Sequence, residues 1–108
     1  MKSGNPSVKA VPPEAGKTFD VLGERVRCVL AGADTGGAYA IVEQVSQPGS
    51  GPPLHMHHRE DEGFYVLEGD YEFTVGDRIL RVTPGTYLFA PRGIPHIFKC
   101  VGTKPGRL

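Results

Sequence analysis

Two histidines separated by one residue, His55 and His57, are the clearest chemical feature of this 108-residue sequence. On a β-strand, side chains two positions apart point to the same face of the sheet. An H-x-H pair on a strand therefore supplies two imidazole donors from one side, as binding of a divalent transition metal requires. Met56 and His58 would point the other way, so His58 is expected to be solvated.

A carboxylate follows the histidines at the spacing that a shared site would need. The polar segment REDE at residues 59–62 reads as a turn between two strands, and an apolar run follows it. On the second strand Glu62 shares a face with Phe64 and Val66. A carboxylate that faces a core without a partner is costly, and a cation removes that cost. Glu60 has the same parity but lies in the predicted turn, so Glu62 is the preferred candidate.

A further histidine, His96, lies at the end of a second distinctive stretch, Gly85–His96. A strand-like run ends there at a Pro-Arg-Gly turn, and His96 begins the next strand-like run, HIFKC. We expect Arg92 to shape this turn rather than to bind a substrate. Periodicity alone does not bring His96 beside His55.

These two stretches resemble the two sequence motifs of the cupin family. The first motif, G-x5-H-x-H-x4-E-x6-G, is matched by Gly49, His55, His57, Glu62 and Gly69. The second, G-x5-P-x-G-x2-H-x3-N, is matched by Gly85, Pro91, Gly93 and His96, with Cys100 where the family usually has Asn. The residues of the first motif resemble those of small single-domain bacterial cupins that are grouped with quercetin dioxygenases.

The resemblance implies a ligand set and a cofactor. By analogy with the family, His96 joins His55, His57 and Glu62 around one divalent transition-metal ion. Iron, manganese, nickel, cobalt and zinc all remain open, because the donor set does not choose among them. Such a set would leave positions on an octahedral metal for water, substrate or dioxygen.

The elements that must position these residues are short strands. Residues 1–17 are proline-rich and aperiodic and read as a flexible N-terminal arm, which leaves residues 18–108 as one domain. No long segment shows helical periodicity. Strands are predicted at Thr18–Leu22, Glu24–Ala31, Ala38–Gln47, Asp70–Val75, Arg78–Val82, Thr86–Ala90 and His96–Val101. This spacing indicates an all-β sandwich or barrel, and the resemblance selects the jelly-roll (double-stranded β-helix) cupin barrel.

Composition excludes several classes of partner. Twelve basic and twelve acidic residues balance, which gives no electrostatic footprint for nucleic acid or an anionic membrane. No apolar run is long enough to span a bilayer, and no signal peptide is visible. Two cysteines do not make a disulfide framework, so Cys28 and Cys100 are predicted to be small buried hydrophobes. We expect a cytoplasmic location.

Two function classes remain open. The first is a metal-dependent enzyme that acts on a small organic molecule, such as an enol or a phenol. Dioxygenase-like chemistry is its most specific form, and isomerisation or cyclisation also fits. The second is a non-catalytic module that binds or senses a small molecule or a metal. No catalytic side chain beyond the metal ligands can be named from the sequence.

The C-terminal segment GTKPGRL suggests an association between two copies of the chain. Cupins usually continue past the second motif into another strand, so a sheet edge is predicted to lack a neighbour there. Uncovered edges recruit further strands. We therefore expect a homodimer, the commonest symmetric oligomer, with a strand near one terminus against the partner's sheet.

Overall fold

The computed structural model describes residues 7–52 and 60–108, and the chain there is built almost entirely from β-strands. A two-residue turn, Gly76–Asp77, joins the fifth and sixth strands. One 3-10 turn, Gly32–Thr35, follows the second strand. The strands are β1 Thr18–Val21, β2 Glu24–Leu30, β3 Ile41–Ser46, β4 Glu62–Tyr65, β5 Tyr71–Val75, β6 Arg78–Val82, β7 Tyr87–Ala90, β8 His96–Cys100 and β9 Gly106–Arg107.

The strands form two layers. One layer contains the antiparallel sheet β1-β2-β3-β9 together with the pair β4-β7. The segment after β4 joins these two parts, because the Leu67 amide donates to the Arg107 carbonyl at 2.8 Å and the Arg107 amide donates to the Glu68 carbonyl at 2.9 Å. The other layer is the sheet β6-β5-β8. The prediction of an all-β, jelly-roll type of fold is confirmed.

The core lies between the two layers and follows the period-two alternation of the strands. On β8 the buried residues are His96, Phe98 and Cys100, whereas Lys99 between them is exposed. The Phe64 ring of β4 packs against Phe98 across the layers, with ring centroids 5.8 Å apart. Apolar side chains in such positions supply the main driving force for folding. The buried hydrophobic set is Phe64, Val66, Tyr71, Phe73, Val82, Leu88, Ala90, Phe98 and Cys100.

The C-terminal segment corrects one prediction. The sheet was expected to lack a neighbour at GTKPGRL, but Gly106–Arg107 forms β9 and pairs with Ser46 and Val45 of β3. Gly106 makes this close approach possible, since a Cβ atom at that position would lie 2.6 Å from the Tyr71 hydroxyl. The absent side chain therefore lets two residues close the sheet edge.

Strand β3 begins later than predicted. The predicted strand started at Ala38, whereas β3 starts at Ile41. The hydroxyl of Thr35 accepts hydrogen bonds from the amides of Ala38 and Tyr39 and donates to the Tyr39 carbonyl. These backbone groups are satisfied locally by the turn and are not used in a ladder.

The last part of the predicted N-terminal arm lies along β2. The Arg27 guanidinium donates to the carbonyls of Ala15 at 2.7 Å and Pro12 at 3.3 Å, and the Cys28 amide donates to the Lys17 carbonyl at 2.9 Å. The division of the chain at residue 17 stays a prediction. Cys28 is only partly buried, unlike the prediction. No helix in the described ranges is long and apolar enough to cross a membrane.

Candidate metal centre

The fold brings together two of the predicted metal ligands, Glu62 and His96, from opposite layers. Glu62 is the first residue of β4 and His96 is the first residue of β8. His96 Nε2 lies 2.6 Å from Glu62 Oε1. The imidazole is almost fully buried, whereas the Glu62 side chain is 36% exposed. The pair therefore sits at the rim of the core, open toward one side.

The other ring nitrogen of His96, Nδ1, is engaged by the backbone, which leaves Nε2 to face Glu62. His96 Nδ1 lies 3.1 Å from the Ile94 carbonyl oxygen, and a carbonyl can only accept a hydrogen bond. Nδ1 therefore donates to this carbonyl, and Nε2 faces Glu62 Oε1 either with a lone pair or with the N–H of an imidazolium. A lone pair and a carboxylate oxygen repel at this distance unless a proton or a metal ion is shared between them. The donor chemistry of the pair thus suits a bound cation, and the Nδ1–H contact to a backbone carbonyl is typical of metal-binding histidines.

Aromatic side chains support His96 from the core side. The Phe64 ring meets the imidazole edge-on, with centroids 6.0 Å apart. Phe64 is itself held by Phe73 at 4.9 Å. Packing on this side and the hydrogen bond to Ile94 together fix the plane of the ring.

Next to the pair, Asp61 forms a bidentate ion pair with Arg92. The Arg92 Nε and Nη2 atoms donate to the two Asp61 oxygens at 3.2 Å each, and the Arg92 amide donates to Asp61 Oδ1 at 2.9 Å. These hydrogen bonds hold the pKa of the Asp61 carboxyl below its usual value. Asp61 is exposed, and Arg92 lies in the predicted turn. The sequence offered no signal for the pairing, because the two residues are 31 positions apart.

The histidine pair His55 and His57, together with His58, lies outside the described residues. The segment just before them is described, and it runs beside the end of β8. The Gly49 amide donates to the Cys100 carbonyl at 2.7 Å, and the Cys100 amide donates to the Ser50 carbonyl at 2.9 Å. Residues 7–52 and 60–108 contain no group of three or more His, Cys, Asp or Glu side chains that could hold a metal by themselves.

Cys100, at the position where cupins usually have Asn, is fully buried. It lies at the opposite end of β8 from His96, four residues or roughly 13 Å along the strand. Its thiol contacts the Lys104 carbonyl at 3.6 Å. The prediction that Cys100 is a buried hydrophobe is confirmed.

Two clefts open beside Glu62. One, of about 540 Å³, is lined by the segment Gly37–Ala40, by Glu60–Glu62 and by Arg92. The other, of about 550 Å³, has more apolar walls that include Ile41, Phe64 and Tyr87. These lining residues could not be identified from the sequence, because exposed aromatics such as Tyr39 and Tyr87 match no motif. A small organic molecule has room next to the carboxylate.

The family model for the cupin domain matches residues 42–108 of the chain. The chain belongs to the cupin family. Among curated proteins, this cupin is 37% identical over 81 residues to quercetin 2,3-dioxygenase of Bacillus subtilis, and it is 32% identical over 72 residues to mannose-1-phosphate guanylyltransferase 2 of Escherichia coli O157:H7. These alignments cover 73% and 67% of the chain but only 24% and 15% of the relatives.

Solved structures show the same fold. A predicted oxalate decarboxylase from Thermotoga maritima has a TM-score of 0.83 at 20% identity, covering 92% of this cupin and 93% of that chain. The polyketide cyclase RemF from Streptomyces resistomycificus has a TM-score of 0.74 at 28% identity, covering 94% of this cupin and 75% of that chain. Proteins that share this fold thus carry names that imply several different activities.

Proposed function

We propose that this cupin binds one divalent transition-metal ion through His55, His57, Glu62 and His96. The observation that carries the proposal is the 2.6 Å approach of Glu62 Oε1 to His96 Nε2, with Nδ1 engaged by the Ile94 carbonyl. A carboxylate oxygen and a ring nitrogen held this close in a partly buried site must share a proton or a metal ion, and the match to the cupin ligand positions favours the metal ion.

The described chain on both sides of the histidine pair supports the other half. Gly49 and Ser50 hydrogen-bond to β8, the strand that begins with His96. After the pair, the chain enters β4 at Glu62. The segment that carries His55 and His57 therefore starts beside one ligand strand and ends at the other. The H-x-H spacing would supply two further imidazole nitrogens from one face.

We further propose that the metal site serves a dioxygenase-like enzyme acting on a small organic substrate with an enolic or phenolic oxygen. A bound divalent metal would supply a Lewis acid for that oxygen. The support is the 37% identity to quercetin 2,3-dioxygenase over most of this chain, together with the clefts beside Glu62. In this role His96 and Glu62 hold the ion. The Phe64 ring that packs against His96, and the Phe73 ring next to it, keep water from that side. We expect the enzyme to work as a cytoplasmic homodimer.

Oxygen consumption with a panel of flavonols and other enolisable compounds tests the enzymatic role. The purified protein is loaded in turn with iron, manganese, nickel, cobalt or zinc. We expect oxygen uptake with at least one metal and one substrate, and its loss on exhaustive chelation. His58→Ala is the matched control and should retain activity.

The two function classes give different results in this assay. Saturable binding of an enolic compound to the metal-loaded protein, with no oxygen uptake and no product, would instead identify a binding or sensing module. Full activity after the metal has been removed would contradict the metal-dependent enzyme.

A further inference from the structure

The ion pair between Asp61 and Arg92 ties together the two segments that carry Glu62 and His96. Asp61 immediately precedes Glu62 at the start of β4, and Arg92 lies in the turn between β7 and β8, four residues before His96. Three N–H groups of Arg92 reach the Asp61 carboxylate, one from the backbone and two from the side chain. The link therefore fixes the Arg92 main chain as well as its side chain.

The link lies just beyond the end of a strand pair. The last residue pair of the β4-β7 ladder is Glu62 with Ala90. The ladder ends at this point, and the chain continues toward Glu60 on one side and into the Pro91–Gly93 turn on the other. The Asp61 side chain bridges the gap where the ladder stops. A shift of either segment would change the distance between Glu62 Oε1 and His96 Nε2.

We propose that Asp61 and Arg92 are positioning residues that hold Glu62 and His96 at the spacing needed to share one cation. This inference rests on the proposed metal site. Exposed ion pairs contribute little to folding stability, so the effect of the pair should appear in metal affinity and not in resistance to unfolding. Residues that orient metal ligands typically change affinity by about 10–100-fold when they are replaced.

A second exposed aspartate–arginine pair supplies a matched control. Arg25 Nε and Nη2 donate to the two oxygens of Asp20 at 3.0 and 3.3 Å. This pair joins β1 to β2, and it has the same bidentate geometry as the Asp61–Arg92 pair. If both pairs were merely surface ion pairs, their removal would have the same effect.

The experiment measures the Kd of Mn²⁺ or Zn²⁺ alone, by competition with a chelator, for the wild type, Asp61→Asn, Arg92→Gln, the double variant and Asp20→Asn. We expect Asp61→Asn and Arg92→Gln each to weaken binding by about 10-fold or more. The double variant should lose about as much metal affinity as one single variant and not the sum of both losses, because both changes break the same link. Asp20→Asn should bind like the wild type.

The direction in which Arg92→Gln changes the Kd for the metal ion distinguishes a positioning role from a purely electrostatic effect. Removing a carboxylate near a cation weakens binding electrostatically, but removing a guanidinium strengthens it. Weaker binding by both single variants therefore supports positioning. Tighter binding by Arg92→Gln, or binding by Asp61→Asn within twofold of the wild type, would overturn it.

A metal-free measurement separates this inference from the metal site itself. If the wild type bound no metal, the proposed function would fail. The positioning role of the Asp61–Arg92 pair could still be tested by the NMR signals of the His96 ring nitrogens. We expect these signals to shift in Asp61→Asn and Arg92→Gln and to stay in place in Asp20→Asn. Unchanged His96 signals in both Asp61→Asn and Arg92→Gln would contradict the inference without any reference to metal.

Discussion

His96 has a different contact at each ring nitrogen. Nδ1 faces the Ile94 carbonyl, and Nε2 faces Glu62 Oε1. The first contact orients the ring, and the second brings a carboxylate oxygen to within 2.6 Å of Nε2. The second contact is the reason to propose that His96, whose side chain is only 2% exposed, is a metal ligand and not simply a core histidine.

Replacing Glu62 tests the residue that the two layers bring to His96. Glu62→Ala deletes an oxygen donor and makes the site more positive. Metal affinity should therefore fall by more than the roughly 10–100-fold that is typical when a residue that orients a metal ligand is replaced. Chelator competition measures the affinity, and substrate turnover should disappear with it. Glu60→Ala is the control and should bind metal nearly as well as the wild type. Equal affinities in wild type and Glu62→Ala would remove Glu62 from the ligand set.

A buried tyrosine predicts how stability depends on alkaline pH. Tyr71 is fully buried, its hydroxyl donates to Ser46 Oγ at 2.8 Å, and Ser46 Oγ donates to the buried Glu24 carboxylate. Burial raises the pKa of Tyr71 well above its usual value. The folded state therefore disfavours the phenolate, so this contribution to stability is full below about pH 10 and declines as the pH rises further.

Tyr71→Phe should separate the two consequences of this burial. The variant loses a hydrogen bond worth about 1 kcal/mol at neutral pH, and the partner Ser46 loses a donor. Above about pH 10 its stability should fall less steeply than that of the wild type. Urea denaturation at neutral pH and at about pH 10.5 measures both. Parallel losses in the two proteins would show that another group titrates.

At the scale of the elements, contact between the Gly49–Gly51 segment and β8 is the feature that directs the chain toward the proposed site. A Cβ atom at Gly51 would overlap the Phe98 carbonyl oxygen, which is backbone and cannot rotate away. Gly51→Ala should therefore push the segment off β8 and destabilise the fold by roughly 1–3 kcal/mol, as overpacking does.

Gly32→Ala is the matched control for this prediction. A Cβ atom at Gly32 meets nothing within 4 Å, so the free energy of unfolding should stay within about 1 kcal/mol of the wild type. Thermal or urea unfolding compares the two variants. A Gly51→Ala protein as stable as Gly32→Ala would mean that the approach to β8 does not constrain the chain.

The elements also show where the sequence was informative. The sequence pattern located most strands within a few residues, as on β8, which was predicted at His96–Val101 and observed at His96–Cys100. It could not reveal β9, since two residues carry no periodicity and Gly106 contributes by lacking a side chain against Tyr71. Nor could it reveal the Asp61–Arg92 pair, because no rule of spacing connects positions 31 residues apart. The juxtaposition of Glu62 and His96 was predicted from the motif resemblance and not from periodicity.

At the scale of the whole molecule, exposed apolar side chains raise the question of association. Phe19 and Val21 on β1 are 53% and 46% exposed, and Tyr87 and Phe89 on β7 are 60% and 54% exposed. Exposed apolar side chains that form a patch are common at sites of protein association. Because β9 already pairs with β3, a dimer that uses side-chain faces explains these residues more directly than one that fills a missing strand.

We expect a homodimer at micromolar concentration, measured by light scattering. Deleting residues 1–17 should lower stability, because Pro12 and Ala15 hold the Arg27 guanidinium and Lys17 pairs with Cys28. A monomer under these conditions would contradict the dimer. Unchanged stability and association after the deletion would exclude a role for the arm.

The metal content of three proteins tests the central claim most directly. The wild type, His57→Ala and His58→Ala are purified alike, loaded with the same divalent metal, freed of excess ion and measured by elemental analysis. The proposed ligand set predicts about one ion per chain in the wild type and in His58→Ala, and little metal in His57→Ala. Equal metal content in His57→Ala and the wild type, or loss of metal from His58→Ala instead, would contradict it.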